Sequence, residues 1–190
     1  MAAPAKKPAT YEDLLALPDN VIGQIIDGDL VASPRPAVPH AQAATALVED
    51  LGGPFSRGRG GPGGWWLLFE PELHLGRDVL VPDVAGWRRE RLPALPREPY
   101  LTVAPDWLCE VLSPGTRGID RVRKLPIYAR EHVSHVWLVD PEERTLEVFR
   151  LQDSQYLLVV TFDGDERVRA EPFDQIELEL GALWLAPSPA

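Results

Sequence analysis

The run Trp107-Leu108-Cys109-Glu110-Val111-Leu112 is apolar at every position but one, and that one is an acid. Its length and two apolar faces predict a central strand covered on both sides. An ionised carboxylate in such a place costs several kcal/mol or more unless a cation or good hydrogen bonds compensate. Glu110 therefore requires a cation. A second apolar run, Val79-Leu80-Val81, closes on Pro82-Asp83. If the two runs are neighbouring strands, Asp83 and Glu110 meet at one end of a sheet. Two hard oxygen ligands that leave a magnesium ion most of its water suit metal-assisted phosphodiester chemistry. The plainer readings are an Asp83 that caps a turn and a Glu110 paired across the sheet with Arg88 or Arg121.

Of the 19 basic residues only three are lysines, and Lys6 and Lys7 belong to an N-terminal stretch that has charge but lacks the apolar central region of a signal peptide. Lys124 is thus the one amine of the folded part, a compact charge whose pKa shifts readily, in a chain that otherwise uses arginine. Asp120 precedes it by four residues on a predicted helix, so an exposed ion pair worth about 0.3–0.5 kcal/mol is the plain alternative.

The formal net charge of -10 argues against a protein that coats nucleic acid by bulk electrostatics. Its distribution is uneven: residues 140–190 carry -8 and residues 1–139 only -2, with arginines clustered at 57–59, 88–91 and 117–123. An acidic tail facing away from a polyanion is compatible with nucleic-acid binding. No apolar run approaches the roughly 18 residues of a membrane span. The sole cysteine, Cys109, excludes an internal disulfide framework and makes a cytoplasmic location the default expectation. A chain of 190 residues is expected to form one domain over residues 10–186, with a disordered leader at 1–9 and a short tail at 187–190.

Thr10 with Glu12 and Asp13 predicts a short capped helix stopped by Pro18. Asp27-Gly28 predicts a hairpin between strands at 21–26 and 30–32. His40 to Leu51 reads as an alanine-rich helix ended by Gly52-Gly53, followed by a mobile glycine-rich loop to residue 64. Strands follow at 65–69, about 73–75 and, as one element, 79–87. After the 107–112 strand comes a helix over 118–131 that places Lys124 and Tyr128 one turn apart, with Pro126 kinking it or delaying its start. Strands at 133–139 and 145–151 follow, then a hairpin of 155–162 with 166–170 across Asp163-Gly164, and a last strand at 176–180. The fold class is α/β: a mixed central sheet flanked by helices, with an antiparallel C-terminal meander.

Pro82-Asp83-Val84, Glu110-Val-Leu-Ser-Pro-Gly-Thr, Asp120 with Lys124 and Tyr128, and Val136-Trp-Leu-Val-Asp140-Pro together resemble the Uma-two family of restriction-endonuclease-like proteins, which has the PD-(D/E)-x-K nuclease fold. The resemblance spans roughly residues 10–183. It implies an endonuclease hydrolysing DNA phosphodiesters with Mg²⁺ or Mn²⁺, bound by Asp83 and Glu110. It implies a lysine that orients or activates the attacking water. In the general fold that lysine lies two residues after the glutamate, which here is Leu112, so the resemblance moves the role to Lys124 on the next helix. Family members usually carry glutamate just before the Asp-Gly turn, where this chain has Gln24, an uncharged and weaker ligand. Glu70 and Glu72 are nearby acids that could stand in. His40 resembles a position where the family often has histidine. The rival reading is a nuclease-like domain that has lost turnover and binds DNA or protein. A homodimer would suit cutting both strands of a duplex.

Other chemistries find no support. His132-x-x-His135 lacks partners at zinc spacing, and Ser113 lacks a nucleophile elbow. The six tryptophans fall mostly on strands, as core residues do.

Overall fold

The computed structural model describes residues 7–186. Of the expected leader and tail, residues 1–6 and 187–190 lie outside this range; Ala9 donates its N–H to Gly28 O at 2.8 Å.

Helix α1 (Tyr11–Leu15) opens with Thr10 and Asp13 bonding reciprocally to each other's backbone N–H. Strands β1 (Val21–Ile26) and β2 (Asp29–Pro34) meet across Asp27 and Gly28, both at positive φ, as the two-residue turn requires. Helix α2 (Val38–Leu51) buries Ala43, Ala44, Leu47 and Leu51. It does not stop at Gly52: a π-helical turn, Gly52–Ser56, continues it because Phe55 is drawn into the core, 4.6 Å from the ring of Phe173. Apolar burial thus overrides the glycine signal there, and only the remainder of the expected loop is irregular.

Strands β3 (Trp65–Phe69), β4 (Leu73–Leu75), β5 (Asp78–Leu80) and β6 (Val84–Arg88) come next. The element expected over 79–87 is therefore two strands, and they belong to different sheets. Pro82 has no N–H for a ladder, and the chain leaves one sheet there to enter the other. The smaller sheet is antiparallel with order β2-β1-β5-β4. The larger has order β10-β9-β8-β7-β6-β3, built from β7 (Trp107–Val111), β8 (His135–Asp140), β9 (Thr145–Gln152) and β10 (Gln155–Asp163). Only β7 and β8 pair in parallel, and the crossover between them carries the helical segment 117–130.

That segment is not one regular helix. It comprises α3 (Arg117–Ile119), a π-helical turn at Asp120–Lys124 and α4 (Leu125–Arg130). In a regular helix the Pro126 ring would press on the carbonyl four residues back, and the wider turn relieves that contact. The C-terminal residues correct a second expectation. Strand β11 (Arg167–Val168) pairs with β12 (Leu178–Glu179), not with β10. The turn that carries β9 into β10 is Asp153-Ser154, both at positive φ.

The large sheet has a core on each face. Period-two alternation along β7 sends Trp107, Cys109 and Val111 toward α2, and Leu108 and Leu112 toward α4 and the small sheet. Glu110, between Leu108 and Leu112 in that alternation, faces α4. On the α2 side Phe173 is the hub: its ring lies 4.9 Å from those of Trp65 and Trp107 and 5.7 Å from Trp137. Among the described residues no helix is long and apolar enough to cross a membrane.

Phe173→Ala should lower unfolding free energy by about 3–5 kcal/mol, since it empties the contact of four aromatic rings. Urea denaturation checks this, with a lower midpoint and an unchanged slope expected.

Candidate active site

The seam between the two sheets is where the candidate residues gather. Val84 is paired with Cys109, so Asp83, one residue before β6, adjoins Glu110 at the same end of the large sheet. Asp83 Oδ2 accepts the N–H of Val111 at 2.6 Å, and its own carbonyl accepts from Glu70 N at 2.9 Å. A cleft of about 400 Å³ opens there, lined by Gln24, His40, Asp83, Glu110, Asp120 and Lys124 among others.

Glu110 is 2% exposed, Asp120 2% and Lys124 4%, so the plain reading of an exposed helix pair is overturned. Lys124 Nζ lies 3.1 Å from each oxygen of Glu110 and 2.9 Å from Asp120 Oδ1. Tyr128, one turn on, donates its hydroxyl to Glu110 Oε1 at 2.5 Å. Neither Arg88 nor Arg121 pairs with Glu110; Arg121 instead meets Glu147 at 2.6 Å. The cation that Glu110 needs is Lys124.

His40 Nε2 lies 3.2 Å from Asp83 Oδ1, and its Nδ1 is buried with no hydrogen-bond partner. Gln24 is buried, with Oε1 accepting from Val81 N at 3.0 Å. Its amide therefore holds the seam closed as well as facing the cleft. Glu72 is not available as a stand-in, because Tyr11 and His74 both bond its Oε1 at 2.8 Å. Glu70 stays closer to the site: burial, and then the charge of Asp83, raise its pKa. The residue missed in the sequence is Arg35, on the cleft wall and fixed by a 3.1 Å bond to Asp19 O. Its signal in the sequence is the rigid Pro34-Arg35-Pro36 frame.

Every pKa shift resolved in the cleft favours the protonated form. Burial pushes Glu110 up to about 8; Lys124 and the Tyr128 bond oppose this, while Asp120 and Asp83 add to it. Burial alone would lower Lys124, but Glu110, Asp120 and Asp83 outweigh it and hold the amine charged. For His40 burial likewise lowers the pKa, and the bond and charge of Asp83 more than reverse this. Two causes give the shared direction: burial disfavours the charged form of Glu110, and the surrounding carboxylates favour the charged forms of Lys124 and His40.

Carboxylates of the type that divalent cations use line this cleft. Among the described residues no three His, Cys, Asp or Glu side chains stand together as a complete metal cage. A magnesium ion, however, commonly uses one or two carboxylates and keeps several waters. Asp83 and Glu110 are donors of that type and would be the residues to hold such an ion, Glu110 in its ionised form, and the unpartnered His40 Nδ1 marks a cleft not saturated from within.

A mixed sheet flanked by helices, with carboxylates and a lysine at one sheet end, defines a restriction-endonuclease-like domain. A solved structure described as a "putative nuclease belonging to DUF820 from Anabaena variabilis" shares the fold, with TM-score 0.74 and 24% identity over 93% of this chain and 97% of that one. The family described as "Uma2: Putative restriction endonuclease" matches residues 8–182, and this chain belongs to that family. A search of curated proteins returned no match.

Two outcomes follow for the metal-free protein. Because Glu110 has its folded pKa raised from 4.5 to about 8, its contribution to stability is complete below 4.5 and is lost as pH rises through 8. Glu110→Gln should therefore gain stability relative to wild type as pH rises across that window, read from melting temperatures in chelator. Lys124→Met should cost about 3–5 kcal/mol at a pH above 8, where Glu110 is ionised, because it strands the buried carboxylates of Glu110 and Asp120. Acidification should shrink that loss.

Proposed function

We propose that this protein is a metal-dependent endonuclease acting on DNA phosphodiesters, with Asp83 and Glu110 holding Mg²⁺ or Mn²⁺ and Lys124 positioning the attacking water. The observation that carries this reading is the meeting of two carboxylates from adjoining strands with a buried amine 3.1 Å from Glu110, in a cleft open to solvent. A divalent ion there would neutralise charge on the phosphoryl group and acidify water.

The chain's own groups have distinct work. Tyr128 locks the orientation of Glu110 through its 2.5 Å bond. Lys124 is held charged, so it acts as a donor that orients water or a phosphoryl oxygen and not as the base that takes a proton. His40 supports Asp83, leaving Asp83 Oδ2 fixed on Val111 N. Arg35 has no carboxylate within ion-pair reach among the described residues, so its guanidinium is free to grip a phosphate at the cleft wall.

One observation favours a second reading, a nuclease-like module that binds without turnover. Lys124 has three N–H donors, and Glu110 Oε1, Glu110 Oε2 and Asp120 Oδ1 already surround them at 2.9–3.1 Å. For Lys124 to hold water, one of these contacts must yield. Gln24 also brings no charge.

Supercoiled plasmid incubated with the protein and Mg²⁺ or Mn²⁺ separates the two. Nicking is expected for wild type, with a loss of at least about a hundredfold in Asp83→Asn and Lys124→Gln. Mn²⁺ should raise the wild-type melting temperature and leave that of Asp83→Asn unmoved. A melting shift without nicking would establish the second reading. Nicking that survives both substitutions would remove the first.

A further inference from the structure

Arg35 is not the sole cationic side chain without an acid partner among the described residues. Ten of the sixteen arginines sit within ion-pair distance of a carboxylate. In a chain of net charge -10, acids are plentiful enough that this is the ordinary outcome. Six arginines have no such partner among the described residues: Arg35 in the cleft, and Arg57, Arg59, Arg88, Arg89 and Arg97.

Four of these five belong to one surface. Arg89 donates to Ser56 O at 2.8 Å, and its backbone N–H donates to Gly64 O at 2.8 Å, which seats it against the loop that carries Arg57 and Arg59. Arg88 lies 4.6 Å over the ring of Trp65, and Arg89 lies 4.0 Å over that of Trp66. Stacking fixes both guanidiniums without using their charge on an acid, and a preorganised guanidinium loses less entropy when it binds. All four arginines are exposed. The nearby Asp106 is already engaged by Arg91 and by the backbone N–H of Arg88, which leaves Glu90 as the acid beside the group.

Strand register locates this surface. Arg88 pairs with Trp65 and Val84 with Phe69, so β6 runs from the cleft at Asp83 to the arginines at its other end. Five residues of strand make the separation about 17 Å, or roughly five base pairs of duplex. That distance is too great for the arginines to touch the scissile phosphate and short enough for one duplex to touch both places.

We infer that Arg57, Arg59, Arg88 and Arg89 form a second, sequence-independent contact surface for the phosphodiester backbone of DNA, distinct from the cleft and flanking it along β3 and β6. The inference rests on the nuclease reading for its choice of DNA as the polyanion. It has its own readout, because backbone contacts are scored by counterion release and not by cleavage.

The test measures binding of a fluorescent duplex of about two helical turns to the full chain in EDTA, as a function of salt. Compared are wild type, the Arg57→Ala/Arg59→Ala/Arg88→Ala variant and the matching triple lysine variant; Arg89 is kept because it braces the loop. The alanine variant should bind more weakly with a wild-type melting temperature, and its plot of log affinity against log salt should be shallower by about 2 to 3. The lysine variant should recover most of the slope. An unchanged slope in the alanine variant, or no duplex binding by wild type, would overturn the inference. So would equal loss on heparin with none on DNA. Retained nicking with an unchanged slope sinks this surface and leaves the nuclease standing; an arginine-dependent slope without any nicking does the reverse.

Discussion

A buried amine held between two acids is the interaction on which the rest of this structure depends. Glu110 sits on a central strand with apolar neighbours on both sides, and without Lys124 its charge would be untenable. Lys124 in turn comes from the crossover between β7 and β8, so the ion pair ties that helical segment to the strand it follows. Asp120 and Tyr128 close the same knot from the turns before and after. The arrangement is polar throughout, yet it lies on the face of the sheet where Leu108, Leu112 and Ile127 are packed. Burial of Glu110, together with the surplus of acid around Lys124 and His40, explains why the resolved pKa shifts there all run upward.

The second constraint is the seam. Pro82 and Asp83 lie where the chain passes from the small sheet to the large one, and the amide of Gln24 and the carboxylate of Asp83 each take up a backbone N–H that neither ladder satisfies. Placement of these two cleft side chains and sheet closure are thus one device. This structural duty of Asp83 is separate from the metal-binding role proposed for it and would hold even in a protein that never cut DNA.

Much of this was legible from residues alone. A lone acid in an apolar strand, an aspartate after an apolar run and a single folded lysine were enough to nominate Glu110, Asp83 and Lys124. The Asp27-Gly28 turn and the one-turn spacing of Lys124 and Tyr128 were local signals, and local signals are reliable where the backbone has few options. What stayed hidden was set by long-range packing. Phe55 overrides two glycines because Phe173 waits for it, more than a hundred residues later in the chain. Strand β11 chooses β12 and not the neighbour offered by Asp163-Gly164, a choice between two apolar runs that periodicity cannot rank. The burial of Asp120 was equally invisible, since an acid and a lysine four apart look the same on a wet helix face as on a dry one.

The π-helical turn at Asp120–Lys124 holds one residue more than a regular turn would, and the chain on either side is ordinary helix. Each residue of an α-helix advances by about 100°. Loss of a single codon between Asp120 and Lys124 would swing Asp120 by about that angle relative to the amine, while Lys124, Tyr128 and hydrophobic anchors such as Ile127 kept their mutual spacing. One small deletion would in that way break up the buried cluster and keep the scaffold, with no change to Asp83 or Glu110, the acids by which such a site would first be recognised.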